Sequence, residues 1–263
     1  MALDEALAVD AASRGEVLVR LSTWARPTVS LGAFQRLADA RACPAFAGMP
    51  IVRRPSGGGA IVHGSDVTLA IALPRGHALA ASPQAFYDLV HGALVAELAR
   101  WGVAAGLSEG ARVLHDPSAS RDSSATPDGP LFCFDRRAAG DVVLPAPGGN
   151  WRPAALHPDA KILGSAQRRL PGAVLQHGSL LIAANREVPP EARHPGLVDL
   201  ARGADASADT LSPERVVEGW LGGIARGMGL GVSDEPGPFV PGDEAGFQAT
   251  LDRYGSESWI AKR

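Results

Sequence analysis

The segment Arg53-Arg54-Pro55-Ser56-Gly57-Gly58-Gly59-Ala60-Ile61-Val62-His63 decides how the rest of the chain is read. Three consecutive glycines between apolar runs cost backbone entropy that an ordinary hairpin avoids. Glycine lets a backbone come close to a ligand, and successive amide N–H groups can converge on an anion or a carbonyl oxygen. Two arginines precede the turn and a histidine follows it, so charge and hydrogen-bond donors are at hand. The Gly-Lys-Ser/Thr of a Walker loop and the Gly-x-Gly-x-x-Gly of a dinucleotide fingerprint are both absent. On spacing alone, a flexible turn with solvated arginines is an equal reading.

Working outward, Ile51–Arg54 and the apolar run Val67–Leu73 read as two strands joined by this unusual turn. Towards the N-terminus, residues 3–13 carry helical apolar spacing, while Val17–Leu21 and Val29-Ser30-Leu31-Gly32 read as short strands. Towards the C-terminus, Ser82 is a good N-cap and Pro83 suits a first helical position. Phe86, Leu89, Val90, Leu94, Leu98 and Trp101 follow at helical spacing, and Gly102 signals the end. Residues 115–130 are polar and rich in breakers, as in a surface loop. Asp141–Leu144 and Val174–Ile182 read as strands. Between them lie a Pro/Gly-rich insertion at 145–158 and a short segment from Lys161 into a small-residue turn. Ser212-Pro213-Glu214 opens a helix to about Gly227, and a last helix covers Asp243–Tyr254. This order predicts an α+β fold rather than a regular βαβ series.

Composition narrows the function classes. In 263 residues, 46% are hydrophobic, enough for a sizeable core. A formal net charge of -3 gives no electrostatic case for nucleic-acid binding. No stretch approaches the roughly 18 unbroken apolar residues of a membrane span, and acids interrupt the opening residues too early for a signal peptide. The two cysteines, Cys43 and Cys133, make a disulfide framework improbable, so the expectation is a cytoplasmic protein. No residue is assigned as a metal ligand.

Two further segments carry reactive groups. In Lys161-Ile162-Leu163-Gly164-Ser165-Ala166-Gln167, a lysine beside small residues could set an ammonium against a reacting carbonyl or a phosphate. A solvated lysine is the commoner fate. The following Leu175-Gln176-His177-Gly178-Ser179 adds a polar strand, in which His177 alone would more often be structural. Cys133 follows a polar loop and precedes Arg136 and Arg137, which could favour a thiolate, although free cysteines usually behave as small hydrophobes. Cys43, between Ala42 and Pro44, reads as structural or incidental.

Taken in order, four blocks resemble the lipoate–protein ligase A / LipM-type octanoyltransferase family, with its biotin/lipoate protein ligase (class II synthetase-like) catalytic fold. They are Trp24-Ala-Arg-Pro-Thr-Val-Ser-Leu-Gly-Ala-Phe-Gln35, the Arg-Arg-Pro-Ser-Gly-Gly-Gly-Ala block, the lysine segment with Leu-Gln-His-Gly-Ser-Leu-Leu, and Tyr254-Gly-Ser-Glu-Ser-Trp259. The resemblance implies one α+β domain over residues 1–263, a mixed β-sheet flanked by helices, and no C-terminal accessory domain. It places Cys133 and Lys161 as catalytic residues. Substrate binding falls to Arg54, Ser56, Gly57, Gly58, Gly59, Ala60, His63, Gly164, Ser165, Ala166, His177 and Gly178. The implied reaction moves octanoate from acyl carrier protein, through a cysteine thioester, to a lysine of a lipoyl domain or a glycine-cleavage H-type protein, without a cofactor. An ATP- and Mg-dependent lipoate–protein ligase is the alternative, and a non-catalytic lipoyl-domain or acyl-binding module a further one. An amidotransferase between proteins would use the same cysteine, whereas a biotin ligase fits the lysine and His-Gly-Ser blocks less well.

Three features depart from the family pattern. His63 is followed by Gly64, with the acid at Asp66. The hairpin between Leu144 and Lys161 is long and contains Trp151. The family's first strand has no counterpart near Met1.

Overall fold

The computed structural model describes residues 1–109, 131–145, 159–202, 211–231 and 237–262. The loop expected at 115–130 and Trp151 lie outside them. Among the described residues the chain builds two sheets. The larger has six strands in the order β1-β5-β9-β8-β7-β6: β1 (Leu18–Ser22), β5 (Asp66–Pro74), β9 (Ala173–Leu181), β8 (Asp159–Leu170), β7 (Ala139–Pro145) and β6 (Gly106–Glu109). Every neighbouring pair in it is antiparallel. The smaller holds β2 (Thr28–Leu31) between β3 (Ile51–Arg53), parallel to it, and β4 (Ile61–His63), antiparallel to it. The mixed pairing therefore belongs to the small sheet.

Two expectations change here. The glycine turn does not join Ile51–Arg53 directly to the Val67–Leu73 strand. It leads from β3 to β4, which flank β2, and β5 belongs to the other sheet. Nor is Gly164-Ser165-Ala166 a turn, for β8 runs through it and pairs with β9 from Leu163 to Leu170. The reversal comes at Pro171-Gly172, where Gly172 has φ +79°.

Strand alternation sorts the core. On β5, Leu69, Ile71 and Leu73 pack with α3 (Pro83–Arg100) and α5 (Pro213–Gly227), through Phe86, Val90, Leu94 and Trp220. Ala70 and Ala72 face the other way, onto Leu7, Ala8 and Ala11 of α1 (Ala2–Arg14). Full burial of a side chain such as Phe86 or Leu94 contributes roughly 1.5–3 kcal/mol each. Ser82 caps α3 through the Ala85 N–H, and Ser212 caps α5 through the Arg215 N–H, as the capping signals predict. Three short helices complete the set: α2 (Leu37–Ala42), α4 (Leu197–Arg202) and α7 (Glu257–Ile260), the last following α6 (Glu244–Gly255). Among the described residues, no helix is long and apolar enough to cross a membrane.

Candidate active site

A cavity of about 200 Å³ lies between the two sheets. The large sheet presents rows of side chains to it. Gly164, Ser179 and Thr68 stand in register across β8, β9 and β5, followed by Ala166 and His177, while Ala70, next in that row, is covered by α1. Small residues in these rows leave the space. Ser30, Ile61, His63 and the glycine turn close the opposite side.

Cys133 is delivered by the glycine turn. Ala60 N–H donates to the Leu131 carbonyl at 2.8 Å, and Cys133 N–H donates to the Ala60 carbonyl at 2.7 Å. This short parallel bridge requires Gly59, because a Cβ there would lie 2.7 Å from the Cys133 nitrogen. Arg54 holds the turn from behind, donating to the carbonyls of Ser30 (2.9 Å), Gly57 (3.1 Å) and Gly59 (2.6 Å). Burial lowers the pKa of this guanidinium, and the nearby Cys133 acts in the opposite sense. Arg53 turns away from the cavity, to the carbonyls of Gly32 and Ile260.

Lys161 donates to Cys133 Sγ at 3.7 Å and pairs with Asp141 at 2.9 Å. It reaches this side of the sheet through a β-bulge. Val142 pairs with Leu163 but Val143 pairs with Lys161, so Ile162 is an extra residue on β8. Ile162 and Leu163 both enter the helix-side core, and Lys161 emerges on the face of Gly164. A Cβ on Gly164 would sit 2.5 Å from the Lys161 Nζ, so the glycine clears room for the ammonium.

Asp141 also accepts the Ala138 N–H at 2.7 Å and the Tyr87 hydroxyl at 2.8 Å. Burial and the Asp141 carboxylate push the Tyr87 phenol well above its usual value, keeping it a donor. Behind it, burial lowers His91 to about 4. His91 Nδ1 faces the Gly140 carbonyl at 2.8 Å and so carries the proton, leaving Nε2 to accept from the Ser165 hydroxyl at 2.7 Å.

Two polar struts tie the sheets together. In one, Ser30 Oγ meets His63 Nε2 at 2.8 Å, and His63 Nδ1 meets Asp66 at 2.7 Å. Asp66 also accepts from Ser179 Oγ at 2.5 Å. Burial raises the Asp66 carboxyl, but His63, Ser179 and the Gly64 N–H outweigh it and hold the pKa below the ordinary value. In the other strut, Ser56 Oγ meets His177 Nε2 at 2.5 Å, and His177 Nδ1 lies 3.4 Å from Asp4. Burial also opposes the charge on Asp4, yet His177, the N-terminal ammonium and Arg20 hold this carboxyl far below the usual range.

Of the residues singled out from sequence, Cys133, Arg54, Gly57, Gly58, His63, Gly164, Ser165, Ala166, His177 and Gly178 border the cavity. Ser56 reaches it through His177, while Gly59 and Ala60 serve the docking of Cys133. Lys161 is 5% exposed and touches the sulfur. Gly178 makes room for Ser165, whose Oγ would be 2.3 Å from an added Cβ. Sequence reading missed Asp141, Tyr87, His91 and Asp4. Only Asp4 carried a signal, as an acid in the apolar stripe of α1. Cys43, a free thiol, packs at the edge of a separate cluster with Phe46 and Phe132.

Residues 1–195 match the family model described as the lipoyl protein ligase A/B catalytic domain. The chain is 32% identical to "Octanoyltransferase LipM" of Symbiobacterium thermophilum, with 100% of this chain and 93% of that one covered. It is 30% identical to the protein of the same name from Kyrpidia tusciae, covering 98% and 92%. A solved structure of a putative lipoate protein ligase from T. acidophilum superposes with a TM-score of 0.64 at 18% identity, over 99% of this chain and 92% of that one, a likeness of fold. The blocks quoted from the sequence, the cavity they enclose and these relatives agree: the chain belongs to the lipoyl protein ligase A/B catalytic domain family.

Proposed function

We propose that this chain is an octanoyltransferase that moves an octanoyl group from an acyl carrier protein thioester to a lysine of a lipoyl domain or glycine-cleavage H-type protein. The observation that carries the reading is the Lys161 ammonium 3.7 Å from the Cys133 sulfur, at the edge of a cavity between the sheets. The polar groups around that cavity largely bond one another, which suits an alkyl chain.

In the first half-reaction the Cys133 sulfur attacks the thioester carbonyl, a new C–S bond forms, and the carrier thiol leaves. Lys161 sets a cation beside the Cys133 sulfur, which takes the electron pair when it departs in the second half-reaction. The Gly57 carbonyl is taken by Arg54. A trans peptide sets N–H opposite C=O, which directs the Gly58 N–H away from Arg54 as a donor for the oxyanion. In the second half-reaction the acceptor ε-amine attacks the acyl-cysteine, a C–N bond forms, the C–S bond breaks, and the amine's surplus proton ends on the released Cys133 thiol. The product amide is stable, and no nucleotide or metal takes part.

The test is intact-protein mass spectrometry after mixing with octanoyl-acyl carrier protein in the absence of ATP. A hydroxylamine-sensitive gain of one octanoyl group, absent in Cys133→Ser, is expected. No adduct, together with modification of a lipoyl domain only when ATP and free acid are supplied, would transfer the assignment to a ligase.

A further inference from the structure

The acyl cavity has a measurable length along the large sheet. Lys161 Nζ occupies the space above Gly164, and Gly164, Ser179 and Thr68 stand in one row across β8, β9 and β5. Neighbouring strands lie about 4.8 Å apart, so Thr68 stands roughly 9.6 Å from Gly164 along that row. An extended octanoyl chain, with seven carbon–carbon bonds of about 1.5 Å, spans roughly 9 Å.

The Thr68 end of this row is lined by bonded groups. Thr68 Oγ1 contacts Asp66 at 3.3 Å and accepts the Trp24 indole N–H at 3.0 Å. His63, which also borders the cavity, is clamped between Ser30 and Asp66. Trp24 stacks on the His63 imidazole, with ring centroids 4.1 Å apart and planes inclined by 16°. An apolar wall can repack around a longer chain. A wall whose donors and acceptors are mutually engaged can yield only by breaking hydrogen bonds in a buried setting.

We infer that Thr68 and His63, braced by Trp24, form the stop that limits the acyl group to about eight carbons. The inference rests on the acyl-transfer reading, with Cys133 at the Gly164 end of the cavity. Thr68 and His63 are specificity determinants and touch no reacting atom.

The experiment measures acyl-enzyme formation on Cys133 by intact-protein mass spectrometry, with hexanoyl, octanoyl, decanoyl and dodecanoyl thioesters of acyl carrier protein. The wild type is expected to acylate well with six and eight carbons and to fall sharply beyond. Thr68→Ala should raise the dodecanoyl-to-octanoyl rate ratio by about tenfold, as extra methylenes gain burial. Thr68→Val, which keeps the volume but leaves the Trp24 N–H without its acceptor, should raise the same ratio as well, and an unchanged ratio in it overturns the bonded wall as the cause. A wild type that takes dodecanoyl as readily as octanoyl overturns the stop, whether or not any variant folds. A Thr68→Ala ratio within twofold of wild type overturns it as well. Absence of an adduct at every chain length instead overturns the acyl-transfer reading beneath it.

Discussion

A single methyl group at Gly164 would meet the end of the Lys161 side chain. At Gly164 an added Cβ would lie 2.3 Å from Lys161 Cε, and the flexible end of the lysine would give way before the strand does. Gly164→Ala is therefore expected to keep its melting temperature to within a few degrees. It should slow acyl-enzyme formation by about 10²-fold, as when one charge-stabilising donor is removed from an acyl-transfer site. Circular dichroism melting and rapid-quench mass spectrometry separate the two effects. Asp141→Asn acts differently. It leaves the Lys161 ammonium, 5% exposed, without its carboxylate, and breaking a buried pair from one side costs about 3–5 kcal/mol. A lowered urea midpoint, with an unchanged slope, is the expected signature. Neither Asp141 nor Tyr87 was legible as a site residue in the sequence. An aspartate before a valine run and a tyrosine in a helix look ordinary until β7 and α3 converge on Lys161.

Whole elements were easier to read where local chemistry decides them. α3, α5 and α6 begin at Ser82, Ser212 and Asp243, each with its side chain accepting a first-turn N–H, and such caps are written in the residue types. The Arg-Arg-Pro-Ser-Gly-Gly-Gly turn, Cys133 and Lys161 were also visible, because those residue types recur in ordered blocks. The course of β8 was not. Gly164, Ser165 and Ala166 have weak strand preference, and only pairing with β9 keeps them extended. The bulge at Ile162 is a mismatch in count between two strands, which neither strand records alone. The Gly59 contact belongs to the same level, since it joins segments more than seventy residues apart. Gly59→Ala would press a methyl against the backbone of Phe132 and Cys133, at 2.9 and 2.7 Å, and backbone yields poorly. Hydrogen exchange at the Ala60 and Cys133 amides should accelerate together in this variant, and the melting temperature should fall. Unchanged protection at both amides would mean the bridge does not depend on the glycine.

For the whole molecule, acid is the revealing variable. His91 is lowered to about 4 in the fold, against an ordinary value near 6.5 in the unfolded chain. Between those values the unfolded chain binds the extra proton, so stability declines as the pH falls from about 6.5 to 4, by on the order of 3 kcal/mol in total. Asp4 and Asp66, both lowered, contribute stability that is present above the unfolded carboxyl value near 4 and is lost as the pH falls through their folded values. Urea titrations should therefore show a first loss from pH 6.5 downward and a second, steeper one below about pH 4. His91→Phe should remove the first and keep the second, and a midpoint in the wild type that is flat from pH 7.5 to 4.5 would contradict the assignment. The second loss strikes Ser30–His63–Asp66 and Ser56–His177–Asp4 together. Two plates fastened at one point can swivel about it, whereas a second, separated fastening stops that swivel. While both carboxylates hold, the slot between the sheets is expected to act as a sheath that a chain enters end-on. Once either lets go, it becomes a hinge that opens sideways.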